Sequence, residues 1–126
     1  MTFEFIAANG LNEHGVNAEI SATLLDDKKM RKAGFADNKE KWFLFKHVGN
    51  PKYDISFSVE IPKQDSGKLR IDVLDEDFGQ PYDYQRILRN NPICIPALRV
   101  WIDVEELMEQ LKDAGIINGH VFGEYI

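Results

Sequence analysis

The stretch that decides the fold is "YDISFSVEI", residues 53–61. Polar residues alternate strictly with apolar ones, which are Tyr53, Ile55, Phe57, Val59 and Ile61. Side chains of a β-strand point to opposite faces in turn, so this pattern predicts a strand with one dry face and one wet face. Pro62 follows, and we expect the strand to end there because proline lacks the N–H that a sheet ladder needs.

Two further strands flank this one. "KWFLFKHV", residues 41–48, precedes it through the turn residues Gly49, Asn50 and Pro51, and "KLRIDVL", residues 68–74, follows a short connection. In the last of these strands Asp72 falls on the predicted wet face. Short loops between neighbouring strands predict a three-stranded antiparallel meander at about residues 41–75.

The first strand differs from its neighbours because both of its faces are apolar. Trp42 and Leu44 point to one side, whereas Phe43 and Phe45 point to the other. The second face needs a cover, which a helix of the chain, a ligand or a partner protein can supply. We expect a helix, because domains usually close their layers internally.

The C-terminal third predicts a long helix at about residues 97–114. Its polar and apolar residues recur at alternating spacings of three and four, the rhythm of an amphipathic helix. Pro96 suits its first turn and Gly115 suits its end. A shorter helix is predicted in "PYDYQRILRN", from Pro81 to about Asn90.

The N-terminal third is less regular. We predict helices in "TFEFIAANG", residues 2–10, and in "DDKKMRKAGF", residues 26–35 with Gly34 after the helix end. The pattern of residues 18–25 is compatible with either a strand or a helix, and we favour helix. The tail "HVFGEYI", residues 120–126, ends in apolar residues that predict docking on the domain. The whole pattern predicts one α+β domain over residues 1–126.

Composition narrows the function classes. The formal net charge is -6, and the seven basic residues at 26–46 are interleaved with four acidic ones, which argues against nucleic acid as a partner. The single cysteine, Cys94, excludes an internal disulfide and fits a reducing, cytoplasmic setting. The N-terminus does not resemble a signal peptide, and no apolar run approaches the about 20 residues of a membrane span.

Five carboxylates lie within "RIDVLDEDFGQPYDYQ", residues 70–85. Their spacing does not match a calcium-binding EF-hand loop, which needs glycine at position six and glutamate at position twelve. We therefore predict a solvated turn that leads into a helix start, with a metal or acid–base site at Asp72, Asp75 and Asp77 as the alternative. The histidines His14, His47 and His120 do not cluster, and no cofactor motif is present.

Three blocks carry a resemblance: "MRKAGFADNKEKWFLFK", "RIDVLDEDFGQPYDYQ" and "DAGIINGHVFGEYI". They resemble small uncharacterised proteins that accompany phages and conjugative elements of Gram-positive bacteria, and the resemblance extends over about half the chain. The resemblance implies no activity, cofactor or site residue. It favours an accessory or interaction protein over a housekeeping enzyme.

The leading hypothesis is a non-enzymatic binding module that contacts another protein or self-associates. Aromatic residues often anchor interfaces, and the candidates here are Trp42, Phe43, Phe45, Tyr82 and Tyr84. One alternative is a metal-dependent enzyme built on Asp72, Asp75 and Asp77. Another is an acidic mimic of nucleic acid that uses the outer stripe of the last helix, namely Glu105, Glu106, Glu109 and Asp113.

Overall fold

The computed structural model describes residues 20–63 and 69–118, together with the backbone of residues 2–7. These ranges contain eight strands and three helices. The strands are β1 (Thr2–Ala7), β2 (Ser21–Thr23), β3 (Ala36–Asp37), β4 (Lys41–Val48), β5 (Ile55–Pro62), β6 (Leu69–Asp75), β7 (Gln80–Pro81) and β8 (Ile117–Asn118). The helices are α1 (Asp27–Lys32), α2 (Tyr84–Asn90) and α3 (Ile95–Asp113).

The α+β class and the long C-terminal helix are confirmed. Helix α3 begins two residues before the predicted start and ends before Gly115, which has a φ of 80° and so adopts the left-handed conformation that suits a helix stop. The meander forms only the middle of a larger sheet. The strand order is β3-β4-β5-β6-β1-β2-β8, and β7 also pairs with β6.

The N-terminal predictions need the largest correction. Residues 2–7 form a strand, and β1 lies parallel to β6 and antiparallel to β2. Helix was also the wrong choice within residues 18–25, where Ser21–Thr23 forms β2 between β1 and β8. β1 pairs with β6, and β2 pairs with β1 and β8; this tertiary context overrides local helix propensity. The C-terminal tail from residue 119 lies outside the described residues.

The shorter helices are close to their predicted positions. Helix α1 begins after Asp26, whose carboxylate accepts a hydrogen bond from the Lys29 N–H at 2.9 Å. Helix α2 begins three residues later than predicted, because Pro81 pairs with Leu74 as part of β7. Asp83 therefore lies before the first turn and accepts a hydrogen bond from the Arg86 N–H at 3.2 Å.

The core lies between the sheet and α3. Alternate residues of β5 and β6, such as Phe57, Val59 and Ile71, are fully buried on the face that the helices cover. Gly49 fixes the approach of α3 to the end of β4: a Cβ added there would lie 2.7 Å from Cγ2 of Val100, and its φ is +75°. Its N–H donates to the Asp103 carboxylate at 2.7 Å.

Candidate functional site

Strand β4 lies next to the end of the sheet and is only partly covered along its outer edge. The two-residue strand β3 pairs with it at Trp42 and Phe43. On the opposite edge, β5 pairs with β4 over its whole length. Within the described residues, nothing pairs with the outer edge of β4 from Leu44 to Val48.

The ladder shows which backbone groups face this unpaired edge. The Asn38 N–H donates to the Lys41 carbonyl at 3.0 Å, so the polar backbone groups of Lys41 face β3. Alternate residues of a strand direct these groups to the same side. Phe45 and His47 consequently direct their N–H and C=O groups outward, whereas those of Leu44 and Lys46 face β5. We call the backbone of Phe45 and His47 the open edge.

The two faces of β4 differ sharply in exposure. Trp42 and Leu44 are buried on the face that packs against the helices. Phe43 is 37% exposed and Phe45 is 51% exposed on the other face. The prediction that a helix covers Phe43 and Phe45 is therefore wrong for the described helices, because α3 packs on the Trp42 and Leu44 side.

The exposed aromatics continue into a ring cluster at the end of β4. The rings of Phe45 and His47 meet edge to face with centroids 5.3 Å apart. His47 Nδ1 lies 3.3 Å from Oδ1 of Asp54 in the following loop. Next to Phe43 and Phe45 the sheet surface forms a depression of about 330 Å³ that Ser58 and Glu60 also line. We call this surface the aromatic face.

The other side of the same edge is basic. A groove of about 260 Å³ runs between the end of α1, the inner side of β4 and the C-terminal half of α3. Lys32 and Lys46 line it together with Leu44 and Gln110. Neither ammonium group lies in an ion pair within the part of the chain that the structure describes. We call this the lysine groove.

A second concave site, the end cleft, lies where β5 begins and β6 ends. It has a volume of about 310 Å³ and reaches Val100 of α3. Tyr53 and Phe78 stand at its exposed side, and Phe78 is 76% exposed. Asp75, Asp77 and Tyr82 also line it, so two of the predicted metal candidates and one predicted aromatic meet here.

Asp77 belongs to the turn after β6, as the sequence predicts, whereas Asp75 is the last residue of β6 itself. The Asp77 N–H donates to Oδ1 of Asp75 at 3.1 Å. Burial raises the pKa of the Tyr82 phenol, and the neighbouring Cys94 and Asp75 raise it further. The cleft thus combines aromatic walls with carboxylates.

The structure contradicts the prediction that Asp72 lies on the wet face of its strand. It lies 5% exposed, not on a wet face, and its neighbour across the ladder is Ser58 on the side of the aromatic face. Burial raises the pKa of the Asp72 carboxyl, and the Arg70 guanidinium at 3.3 Å opposes the rise. Its Oδ1 has no hydrogen-bond partner among the described residues.

The predicted metal triad does not converge. Asp72 and Asp75 are three residues apart on β6 and therefore point to opposite faces of the sheet. Within residues 20–63 and 69–118, no three side chains of the metal-binding types are grouped to hold an ion. Asp75 and Asp77 remain together without the third carboxylate.

Three other predicted site residues are buried. Trp42 and Tyr84 belong to the core, so neither is accessible to a partner in this structure. The Arg31 guanidinium and the Lys63 ammonium instead lie over the Trp42 ring, 5.2 Å and 5.1 Å from its centroid. Glu105 is also buried, which removes it from the outer stripe of α3 that the nucleic-acid mimic requires.

The remaining candidates are dispersed. Cys94 precedes α3 and lines the end cleft, and it is half-buried as a free thiol. His47 lies on β4, whereas His14 and His120 fall outside the described residues. None of the described helices has the length and apolar character needed to cross a membrane.

Sequence reasoning missed the lysine groove and the exposed side of the end cleft. Lys32 and Lys46 are distant in sequence, and only the packing of α1 beside β4 brings them together. Tyr53 was assigned to the dry face, but β5 begins at Ile55 and leaves Tyr53 in the preceding loop. Gly49 and Pro51 were the available signal that this loop extends further.

Comparison of this chain with protein-family models, with curated proteins and with solved structures gives no match.

Proposed function

We propose that this protein is a non-enzymatic binding module that accepts an extended segment of another protein along the open edge of β4. Proteins that recognise peptides in this way add a strand to an exposed sheet edge, so main-chain hydrogen bonds supply affinity and alternate side chains supply specificity. The observation that carries the proposal is the unpaired outer edge of β4 between its exposed aromatic face and its lysine groove.

The two sides of the edge define the partner's chemistry. Residues of an added strand opposite Phe45 and His47 lie on the aromatic face, where apolar side chains are favoured. The residue opposite Lys46 lies on the other side, beside the lysine groove, where a carboxylate meets two ammonium groups. We therefore expect a partner segment that alternates apolar and acidic residues.

A second copy of this chain fits the edge poorly. If two β4 strands pair antiparallel through Phe45 and His47 of each, the two Lys46 residues face one another. Like charges directly opposite in a ladder are destabilising, and lysine on an edge strand is a known protection against self-pairing. Association with another protein is thus favoured over self-association.

The cellular setting belongs to the same proposal. A single free cysteine and a binding role fit the cytoplasm, and the resemblance to proteins of phages and conjugative elements fits an accessory role. An accessory protein acts by holding a partner, which requires an accessible recognition surface but no catalytic residues. The open edge supplies such a surface.

The test is a binding titration with short acetylated peptides. The probe alternates valine and glutamate; one comparison peptide has lysine in place of glutamate, and another carries N-methyl groups on the amides that would pair with β4. Fluorescence anisotropy gives the dissociation constants. We expect the glutamate peptide to bind and both comparison peptides to bind at least about tenfold more weakly, which corresponds to about 1.4 kcal/mol.

Protein variants assign the binding to this edge. Lys46→Glu reverses the charge beside the groove and should weaken the glutamate peptide about tenfold, because like charges replace an opposite-charge pair. Lys39→Glu makes the same change of net charge in the turn between β3 and β4, and should leave affinity within about twofold. Equal loss in both variants, or unchanged binding of the N-methylated peptide, would contradict strand addition.

A further inference from the structure

The end cleft has the shape of a small-ligand site and shares no lining residue with the aromatic face or the lysine groove. Ligand pockets are typically concave, mostly apolar and at least about 300 Å³ in volume, with a few polar groups that orient the ligand. The end cleft is about 310 Å³ and takes its apolar walls from Ile55, Pro96 and Val100. It is therefore large enough for a small organic molecule.

The polar groups of this cleft give it negative charge. Asp75 and Asp77 both line it, and neither carboxylate is in an ion pair with a described cation. Only one oxygen of Asp75 is engaged by a neighbouring backbone N–H, that of Asp77. Asn50 also lines the cleft, and its Oδ1 accepts a hydrogen bond from the Lys52 N–H at 3.0 Å. A positively charged group entering the cleft would meet two uncompensated carboxylates.

Aromatic rings line the same cleft. Tyr53, Phe78 and Tyr82 contribute to it, and the first two are exposed. Ring faces attract ammonium and guanidinium groups. The neighbouring Lys52 illustrates this attraction, since its Nζ lies 6.0 Å from the centroid of the Tyr53 ring. Lys52 itself is not a lining residue, and the cleft beside it stays open.

From this combination we infer that the end cleft binds an organic cation, namely an ammonium or guanidinium group carried on an apolar stem. The carboxylates of Asp75 and Asp77 pair with the charge, the aromatic rings contact its faces, and the apolar walls bury the stem. A bare divalent metal ion suits the site less well, since Ca²⁺ and Mg²⁺ need about six oxygen ligands and the cleft is mostly apolar.

The same cation chemistry occurs in free amines and in the lysine side chains of peptides, so the test uses both. Phenethylamine is the small probe, with neutral 2-phenylethanol as its matched control. N-acetyl-lysine methylamide represents a side chain, with N-acetyl-norleucine methylamide as its control. Backbone amide shifts at Tyr53, Phe78 and Tyr82, followed by NMR during titration, report on binding at the cleft.

We expect at least one cation to shift these amides with saturation and its neutral control to bind at least about fivefold more weakly, in line with a charge-assisted contact. Asp75→Asn and Asp77→Asn should each weaken the cation severalfold, whereas Asp113→Asn removes an exposed carboxylate elsewhere and should not. Whichever cation binds more tightly identifies the source. Equal binding of cations and neutral controls, or no saturable shift with either cation, would overturn the inference.

The result is independent of the proposed strand addition. Asp75→Asn should leave the affinity of the valine–glutamate peptide unchanged, and Lys46→Glu should leave the affinity of the amine unchanged. Failure of the peptide titration with an intact amine response would reject only the binding edge, and the opposite outcome would reject only the cation site. A thermal unfolding curve for each variant confirms that folding is preserved.

Discussion

The open edge of β4 and the end cleft, the two proposed recognition surfaces, have opposite construction. The edge offers unpaired backbone groups between exposed rings and a groove with two lysines, whereas the cleft is concave and carries two carboxylates. The edge suits an extended chain with acidic side chains, and the cleft suits a compact cation. A chain of net charge -6 can thus hold a basic site, because local packing and not total charge sets what a surface attracts.

Both surfaces depend on the same packing of α3 under the sheet. Leu44 lies between the helix and the edge, and Val100 reaches the end cleft from the same helix. Changes in the shared core should therefore disturb both surfaces, while changes in exposed residues should disturb only one. The following variants separate these cases, from the largest expected effect to the smallest.

Trp42→Ala should cause the largest loss of unfolding free energy. Trp42 is buried beneath β4 and carries two cations on its ring, so its truncation should cost about 3–5 kcal/mol of unfolding free energy. Phe45→Ala is the matched control on the exposed face and should cost less than about 1 kcal/mol. Urea denaturation measures both. Similar losses in the two variants would show that the outer face of β4 is covered in solution.

Gly49→Ala should destabilise the contact between the end of β4 and α3, on which both surfaces depend. The new methyl would meet Val100 at 2.7 Å on a backbone with positive φ, and we expect a loss of about 2–3 kcal/mol. The double variant with Val100→Ala should lose less than the sum of the single losses, because it removes the clash. Strict additivity in urea denaturation would mean that Gly49 and Val100 are not in contact.

Asp72→Asn tests a buried carboxylate that belongs to neither surface. Because burial raises its folded-state pKa above the unfolded value, near 3.9, the folded protein loses stability as pH rises through the interval between the two. Removing the charge should increase stability at pH 7 by about 1 kcal/mol, and the gain should vanish below that interval. Unfolding curves at several pH values measure it; a neutral or negative effect at pH 7 would show that the Arg70 contact outweighs the burial.

The smallest expected effect concerns the Tyr82 phenol in the end cleft. Its pKa lies above the usual value near 10, so Tyr82 should ionise at a higher pH than an unperturbed phenol, and its ionisation should lower stability as pH rises through that interval. Asp75→Asn should lower this pKa, since a nearby negative charge opposes phenolate formation. Ultraviolet titration against Tyr82→Phe isolates the signal. An unchanged Tyr82 pKa in Asp75→Asn would show that the Asp75 carboxylate does not interact with the Tyr82 phenol.

The parts of the fold that sequence predicted are those with strong periodicity. Apolar residues recur every second position in the strands at 41–75 and every third or fourth position in the long helix. The predicted positions of these elements lie close to the observed ones. Helix was the wrong prediction for residues 2–7 and 21–23, because β1 and β2 depend on pairing with other strands. Periodicity also cannot show that a polar residue such as Asp72 is buried, because burial depends on what packs over that face.

The residues of the two proposed binding surfaces were predicted only in fragments. Phe43 and Phe45 were identified as aromatics on a second apolar face, and their exposure is a fact of the tertiary structure. Tyr82, Asp75 and Asp77 were considered for separate roles, and the turn after β6 brings them to one cleft. Lys32 and Lys46 belong to the basic stretch at residues 26–46, but only the packing of α1 beside β4 brings these two lysines to one groove.

The central claim is that Phe45 and His47 direct unpaired backbone groups outward from β4. Amide hydrogen exchange measured by NMR at four consecutive residues tests it most directly. We expect slow exchange at Leu44 and Lys46, which bond to β5, and exchange at least about tenfold faster at Phe45 and His47. Uniform protection across Leu44–His47 in the free protein would contradict the claim, because the edge would then already be paired.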